Sequence, residues 1–200
     1  IPADFLFGEE FDLVFPPDSD EALQEQVHEM VERNNMRTML YESKLDSGVD
    51  GDSVILVERD GDGLAKFRPQ PVNDWCPENN PDDIRDVWAH WIGWKRTAKV
   101  ANGKEEDFLR LIKHEKGRIL NYVVGINSDG TLQPDSEEGW NALYPDPATR
   151  PPKTIETGLE DFALEHVPNW RTAKDYHGIS EYRDTQGIFA SINARVTQSD

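Results

Sequence analysis

The sequence predicts an α+β fold in which an antiparallel meander of strands is flanked by helices. Its 200 residues are 36% hydrophobic and include six Trp and eight Phe, which is sufficient apolar material for a folded core. Apolar side chains recur at helical spacing before residue 46, whereas alternating and β-branched runs between glycine turns occupy residues 53–124. Helices and strands segregated along a chain in this way are typical of the α+β class.

Two helices are predicted near the start of the chain, after a short alternating strand at residues 11–15 that ends at a proline pair. Ser19 or Asp20 is a credible N-cap for the first helix, which is expected to end near the two consecutive asparagines that follow. Its apolar face consists of Leu23, Val27, Met30 and Val31. A second helix is predicted over residues 36–45, and Gly48 is expected to close it.

Strands dominate the middle of the chain. A β-branched run at residues 53–58, a Gly-rich turn and a further strand at residues 64–68 predict a hairpin. Prolines at three positions then predict an exit loop: Pro69, Pro71 and Pro77. Three further strands, separated by turns at Gly103 and Gly117, complete the meander: 84–100, 108–114 and 118–124.

The rest of the chain divides into an insertion and a tail. Residues 127–153 are acidic and rich in Pro and Gly, which predicts a loop or insertion after an α+β core at residues 1–126. Residues 154–200 are predicted to contain a return strand at 164–169 and the start of a long helix capped by Ser180. Because that helix has no stop signal and the first residue is not Met, we expect the sequence to be part of a longer protein.

The charge of the chain argues against tight binding of nucleic acid. Its formal net charge is −18, with net −15 in residues 1–91 and net +4 in residues 92–118. Affinity for DNA depends on Lys and Arg that neutralise phosphates, and here they are outnumbered. An acidic surface can nevertheless let a polyanion pass without gripping it.

The sequence offers no specific catalytic, metal or cofactor motif, so we expect neither an enzyme nor a cofactor. Asp60 and Asp62 resemble the start of a calcium loop, but Pro69 stands where the bidentate Glu is required, which favours a plain hairpin turn. The five His form no zinc pattern with the single Cys76, and ordinary surface or strand histidines are the default interpretation. No apolar run is long enough for a membrane span, and no membrane association is expected.

Four short segments of the chain carry a family resemblance. The second and third of them are Gly51–Val57 and Arg68–Val72, and the fourth extends over residues 166–193 with Gly178 and Ser180 in its turn. The first, an apolar segment ahead of an acidic helix, contains Phe5, Leu6, Phe7, Gly8 and Glu9. In their order and spacing, these segments resemble the portal protein of tailed bacteriophages, of the siphophage type.

The resemblance implies a structural protein without catalysis. It implies a portal wing-like fold and a homo-oligomeric ring, usually a dodecamer, at one capsid vertex of the virion, assembled in the host cytoplasm. The implied partners are the capsid protein, terminase and the head-tail adaptor, with double-stranded DNA passing through the channel without sequence-specific contact. Since the stem, clip and channel loops of the family have no counterpart here, DNA-facing residues are not transferred. The insertion at 127–152 and the Glu9–Glu10 pair depart from the pattern.

Two other functions remain open at this stage. The first is an acidic adaptor or DNA mimic that occupies the nucleic-acid site of a basic partner, which predicts salt-sensitive binding lost on neutralising Asp18, Asp20, Glu21 and Glu25. The second is a hydrolase that uses scattered carboxylates, and it predicts at least one Asp or Glu whose removal abolishes turnover without unfolding. No residue in the sequence is singled out for that role.

Overall fold

The computed structural model describes residues 13–127, 129–171 and 175–183. The α+β class is confirmed, because the described part of the chain combines three α-helices with extensive antiparallel strand pairing. No helix in these ranges is both long and apolar enough to cross a membrane.

The chain divides into two compact units. The first unit ends at Val72 and resumes at Glu165, while the second is Asn73–Leu164. The boundaries expected from composition, at residues 126 and 153, both fall inside the second unit. The excursion of the chain between Val72 and Glu165 therefore forms a compact body of its own.

Two consecutive helices open the first unit, α1 (Glu21–Arg33) and α2 (Met36–Asp50). Asp20 is the N-cap of α1, since its carboxylate accepts a hydrogen bond from the Ala22 N–H at 3.0 Å. The predicted strand before α1 is absent over Leu13–Phe15, and its first two residues lie outside the described ranges. The ring of Phe15 instead packs edge-on against His28 of α1, with 5.3 Å between ring centroids.

The prediction that Gly48 closes the second helix was wrong. Gly48 lies buried within α2, and the helix ends at Gly51, whose φ of 92° is left-handed. The C-terminal half of α2 packs through small residues rather than large apolar ones: Ser43 and Ser47 are buried, and the Ser43 hydroxyl lies 2.8 Å from that of Ser53. Helical periodicity of apolar residues cannot reveal such a face.

The sheet of the first unit has three strands in the order β2-β1-β9, where β1 is Asp52–Arg59, β2 is Ala65–Gln70 and β9 is Leu164–Pro168. The predicted β1–β2 hairpin and the return strand are confirmed. In its turn the Asp60 carboxylate accepts from the N–H groups of Asp62 and Leu64 and pairs with Arg33. The acidic turn is therefore a structural one.

The second unit is built on an antiparallel meander in the order β3-β4-β5-β6-β7, and the short strand β8 pairs with β6. Its strands are β3 (Trp75–Asn80), β4 (Asp83–Lys99), β5 (Glu105–Glu115), β6 (Arg118–Ile126), β7 (Leu132–Gln133) and β8 (Thr154–Glu156). Strands β4 to β6 and the turns at Gly103 and Gly117 confirm the prediction. Strand β3 replaces part of the expected exit loop: it is an edge strand, where Pro77 costs no interior ladder bond.

The prediction of a loop at residues 127–153 was wrong over a short helix, α3 (Glu137–Leu143). The helix packs closely on the sheet, since a Cβ at Gly139 would come within 2.7 Å of Val123 and Phe108 side-chain atoms. Trp140 is fully buried in a core cluster with Val100, Phe108 and Val123. A segment with so few apolar residues has no readable periodicity, so a single anchor of this kind escapes sequence analysis.

A buried arginine joins the same segment to the sheet. Arg110 of β5 is 3% exposed, and its guanidinium lies 5.4 Å from the ring of Trp140. It donates to the Tyr144 hydroxyl at 3.1 Å, to the Asn121 side chain and to the Tyr122 carbonyl at 3.0 Å. These neutral acceptors and the indole face compensate the buried cation.

Candidate functional site

The fourth family-like segment contacts the second one at a backbone junction between α2 and β1. A Cβ atom on Gly178 would lie 1.8 Å from the carbonyl oxygen of Gly51 and 2.7 Å from the amide nitrogen of Asn169. A Cβ on Gly51 would lie 2.6 Å from the carbonyl oxygen of Gly178, at a left-handed φ of 92°. Both positions therefore require glycine. We call the set Gly51, Asp52, His166, His177, Gly178 and Ser180 the glycine junction.

The carboxylate of Asp52 is the centre of the glycine junction. Its Oδ1 accepts from His166 Nε2 and from the Gly178 N–H, each at 2.7 Å, and its Oδ2 accepts from His177 Nδ1 at 3.0 Å. The Asp52 and His166 side chains are each 5% exposed, whereas His177 is 58% exposed. One buried acidic group at the start of β1 thus holds three points on the later segment.

These contacts keep the Asp52 carboxylate ionised. Burial disfavours its charged form, but hydrogen bonds from His166, from the Gly178 N–H and from His177 outweigh that cost and hold the pKa of Asp52 below its ordinary value. A buried carboxylate that accepts several hydrogen bonds is stabilised in the charged state, and removal of its donors leaves an uncompensated charge.

Aromatic and cationic groups orient His166. Its ring stacks on Tyr176 at 4.9 Å between centroids, and the Arg171 guanidinium lies 4.8 Å from the Tyr176 ring. Arg171 Nη2 lies 3.3 Å from His166 Nδ1. A donor at Nδ1 and an acceptor at Nε2 together favour the neutral ring with its proton on Nε2. Burial raises the pKa of the Tyr176 phenol, so that hydroxyl stays protonated at neutral pH.

Ser180 and its neighbour fix the segment to the end of α2. The Ser180 hydroxyl donates to the Val49 carbonyl and accepts from the Tyr182 N–H at 3.1 Å. The Glu181 N–H donates to the Gly48 carbonyl at 2.9 Å. The bond from Tyr182 is the kind an N-cap serine makes, while the helix that Ser180 is predicted to cap lies outside the described residues.

The polar groups of the glycine junction are used to hold backbone. The Ser180 hydroxyl and the Asp52 carboxylate both bind main-chain groups, so neither is arranged as a nucleophile or a general base. In the ranges that the structure describes, no group of three metal-ligating side chains occurs. The arrangement can clamp the segment at residues 175–183 onto α2 and β1.

The predicted site residues are recovered in part. Gly178 and Ser180 lie in the glycine junction, whereas Phe5, Leu6, Phe7, Gly8 and Glu9 lie outside the described residues. Sequence reasoning missed Asp52 and treated His166 and His177 as ordinary histidines. A signal was present, since Asp52 and His177 each adjoin a glycine of a family-like segment.

No protein-family model matches the chain, and no curated protein matches it significantly. The fold and the glycine junction together define a class: an α+β protein whose most ordered polar site does mechanical rather than chemical work.

The Asp52 contacts predict a specific acid dependence of stability. Because the folded pKa is depressed, the stabilisation is complete above the pKa of about 3.9 of an unfolded Asp and is lost as the pH falls through the folded value. We expect Asp52→Asn to lower the free energy of unfolding by about 2 kcal/mol at pH 7. The difference from the parent protein should shrink steadily between about pH 5 and pH 3 in urea titrations.

Asp46→Asn is a control of opposite sign. Burial, and then the neighbouring carboxylates of Asp50 and Glu42, raise the pKa of Asp46, so loss of its charge should not destabilise the protein at pH 7. If the deficit of Asp52→Asn were the same at pH 3 as at pH 7, the ionised Asp52 carboxylate would not be the source of the stabilisation.

Proposed function

We propose that this protein is a structural subunit of a tailed-bacteriophage portal ring at the capsid vertex, and that it contributes the wing-like part of each subunit. The observation that carries the proposal is the contact between Gly51–Val57 and the segment at residues 166–182. These are two of the four segments on which the family resemblance rests, and they are separated by more than a hundred residues in the sequence.

The contact supports the resemblance because it explains the residue types of both segments. Two glycines are required by the close backbone approach, and the aspartate and histidines are required by the hydrogen bonds that accompany it. Short degenerate motifs that matched by chance would have no reason to meet in space. The mechanical character of the junction also fits a subunit that acts as a rigid block without catalysis.

The net charge is compatible with this role. At −18 the chain is poorly suited to grip DNA, and a channel that a genome traverses must not hold it. The partners that follow are further copies of the chain, usually in a dodecamer, together with the capsid protein, terminase and the head-tail adaptor. The location that follows is the virion vertex, with assembly in the host cytoplasm.

One observation keeps the acidic adaptor as a second candidate. Helix α1 carries four glutamates, and none of its residues is fully buried. A repeated row of carboxylates at helical spacing is one way in which a protein can imitate a phosphate backbone: Glu21, Glu25, Glu29 and Glu32. This candidate requires a basic partner, whereas the portal proposal requires copies of the same chain.

The size of the assembled full-length protein tests the proposal. We expect mass photometry to give a species close to twelve subunits and electron-microscopy class averages to show closed rings with a central channel. A protein that stays monomeric at high concentration would overturn the portal proposal. Salt-sensitive capture of a basic protein, lost on neutralising Asp18, Asp20, Glu21 and Glu25, would then favour the adaptor.

A further inference from the structure

An acidic cavity of about 250 Å³ lies in the first unit, beside the C-terminal end of α2. Its polar lining consists of Asp46, Asp50, Asp52, Ser53 and Gln70. Small-molecule sites usually occupy about 300–1,000 Å³, so this volume suits a side chain or a tight turn better than a free metabolite. Its chemistry follows from Asp46, Asp50 and Gln70, because Asp52 is engaged within the glycine junction.

The carboxylates of this cavity lack compensation by a cation. Glu42, Asp46 and Asp50 follow one another at every fourth position of α2, the spacing at which like charges repel. Burial raises the pKa of Asp46, and its only charged influences are the carboxylates of Asp50 and Glu42. They also stand in the last turns of the helix, where its dipole already disfavours negative charge.

A buried amide independently indicates that the acidic cavity receives a ligand. Gln70 is 8% exposed, and its Oε1 accepts from Arg68 Nη1 at 3.1 Å. Its Nε2 is therefore the end turned to the cavity, and it donates to no group in the part of the chain that the structure describes. Leaving a buried donor unsatisfied is costly, and an acceptor supplied from outside would remove that cost.

The two requirements together describe the ligand. It must bring positive charge to Asp46 and Asp50 and a carbonyl or similar acceptor to Gln70. A lysine-bearing turn of a polypeptide meets both conditions, because its exposed backbone carbonyls accept hydrogen bonds while its ammonium groups pair with carboxylates.

The chain contains such a turn at the tip of the β4–β5 hairpin, the Lys99–Lys104 turn. Lys99, Lys104 and the residues at 101–103 are exposed. Lysines elsewhere in the same sheet are paired, since Lys95 binds Asp107 at 2.7 Å and Lys113 binds Glu78 at 3.1 Å. Lys99 and Lys104 make no ion pair with any residue in the described ranges, which leaves both for a partner.

We infer that the acidic cavity of one subunit receives the Lys99–Lys104 turn of a second copy of this chain. The inference rests on the proposed ring, in which each subunit must present two different and complementary surfaces to its neighbours. Pairing an acidic recess with a basic tip makes the contact directional, and it raises the rate of correct encounter while like-charged surfaces repel.

Charge reversal at each side tests the inference on the full-length protein. The cavity variant is Asp46→Lys with Asp50→Lys, the tip variant is Lys99→Asp with Lys104→Asp, and a third protein carries all four changes. A matched control, Glu25→Lys with Glu29→Lys, makes the same charge change on the exposed surface of α1. Mass photometry over a concentration series measures assembly, and circular dichroism checks that each variant folds.

The cavity and tip variants should each raise the concentration needed for half-assembly about tenfold or more, since each places like charges against each other. The four-change protein should recover assembly, and the α1 control should assemble like the parent. Assembly of the folded cavity variant at the parental concentration would overturn the inference while leaving the portal proposal intact. Failure of the parent protein itself to assemble would overturn both.

Discussion

Gly178→Ala is expected to lower the free energy of unfolding by about 3 kcal/mol, the upper part of the range for overpacking substitutions. The added methyl would lie 1.8 Å from the Gly51 carbonyl oxygen and 2.7 Å from the Asn169 nitrogen. Both of these are backbone atoms, so rotation of a side chain cannot relieve the clash. The segment must move away, and the bond from the Gly178 N–H to Asp52 is then lost.

Urea denaturation measures this loss, and hydrogen exchange at residues 175–183 locates it. Gly61→Ala is the matched control in the same unit, because no atom lies within 4 Å of the position that its new methyl group would take, and its backbone is not left-handed. That substitution should leave stability unchanged or slightly improved. Equal stability of the two variants would mean that the close approach of Gly51 and Gly178 does not exist in solution.

Trp140→Ala is expected to cost about 4 kcal/mol, in the range for truncating a large aromatic residue in a core. The side chain is fully buried, and it contacts the guanidinium of Arg110 at 5.4 Å and that of Arg150 at 5.5 Å. Its indole N–H also donates to Asp135 at 2.9 Å. The substitution therefore opens a cavity and removes the aromatic face that compensates a buried cation.

Thermal and urea unfolding of the variant give the magnitude. Trp88→Ala is the control, since Trp88 belongs to the same unit but is 51% exposed and should change stability by less than about 1 kcal/mol. A similar small effect at Trp140 would support the expectation from composition that residues 127–153 are a loop with little to bury, and would contradict the packing of α3.

Local patterns in the sequence were sufficient for most of the regular elements. The cap at Asp20, the β1–β2 hairpin and the long strands β4, β5 and β6 all follow from signals within a few residues of one another. Alternation also predicted that β4 is covered on both faces, and indeed Ala89 on one face and Ile92 on the other are both fully buried. Such features depend on backbone preferences and on side-chain period, which are properties of the chain itself.

The elements that escaped prediction depend on partners distant in the chain. Strand β3 exists because an edge position tolerates Pro77, and α2 continues past Gly48 because small residues face β1. Helix α3 is held by one tryptophan against residues of β5 and β6.

The candidate site shows the same division. From the chain alone, Gly178 and Ser180 could be named as members of a family-like segment, but not the reason for them. That reason is a carboxylate at Asp52, more than a hundred positions away, whose hydrogen bonds require His166, His177 and a close glycine pair. Which polar groups are buried together, and so share their charge and hydrogen bonds, is decided only when tertiary packing removes them from water.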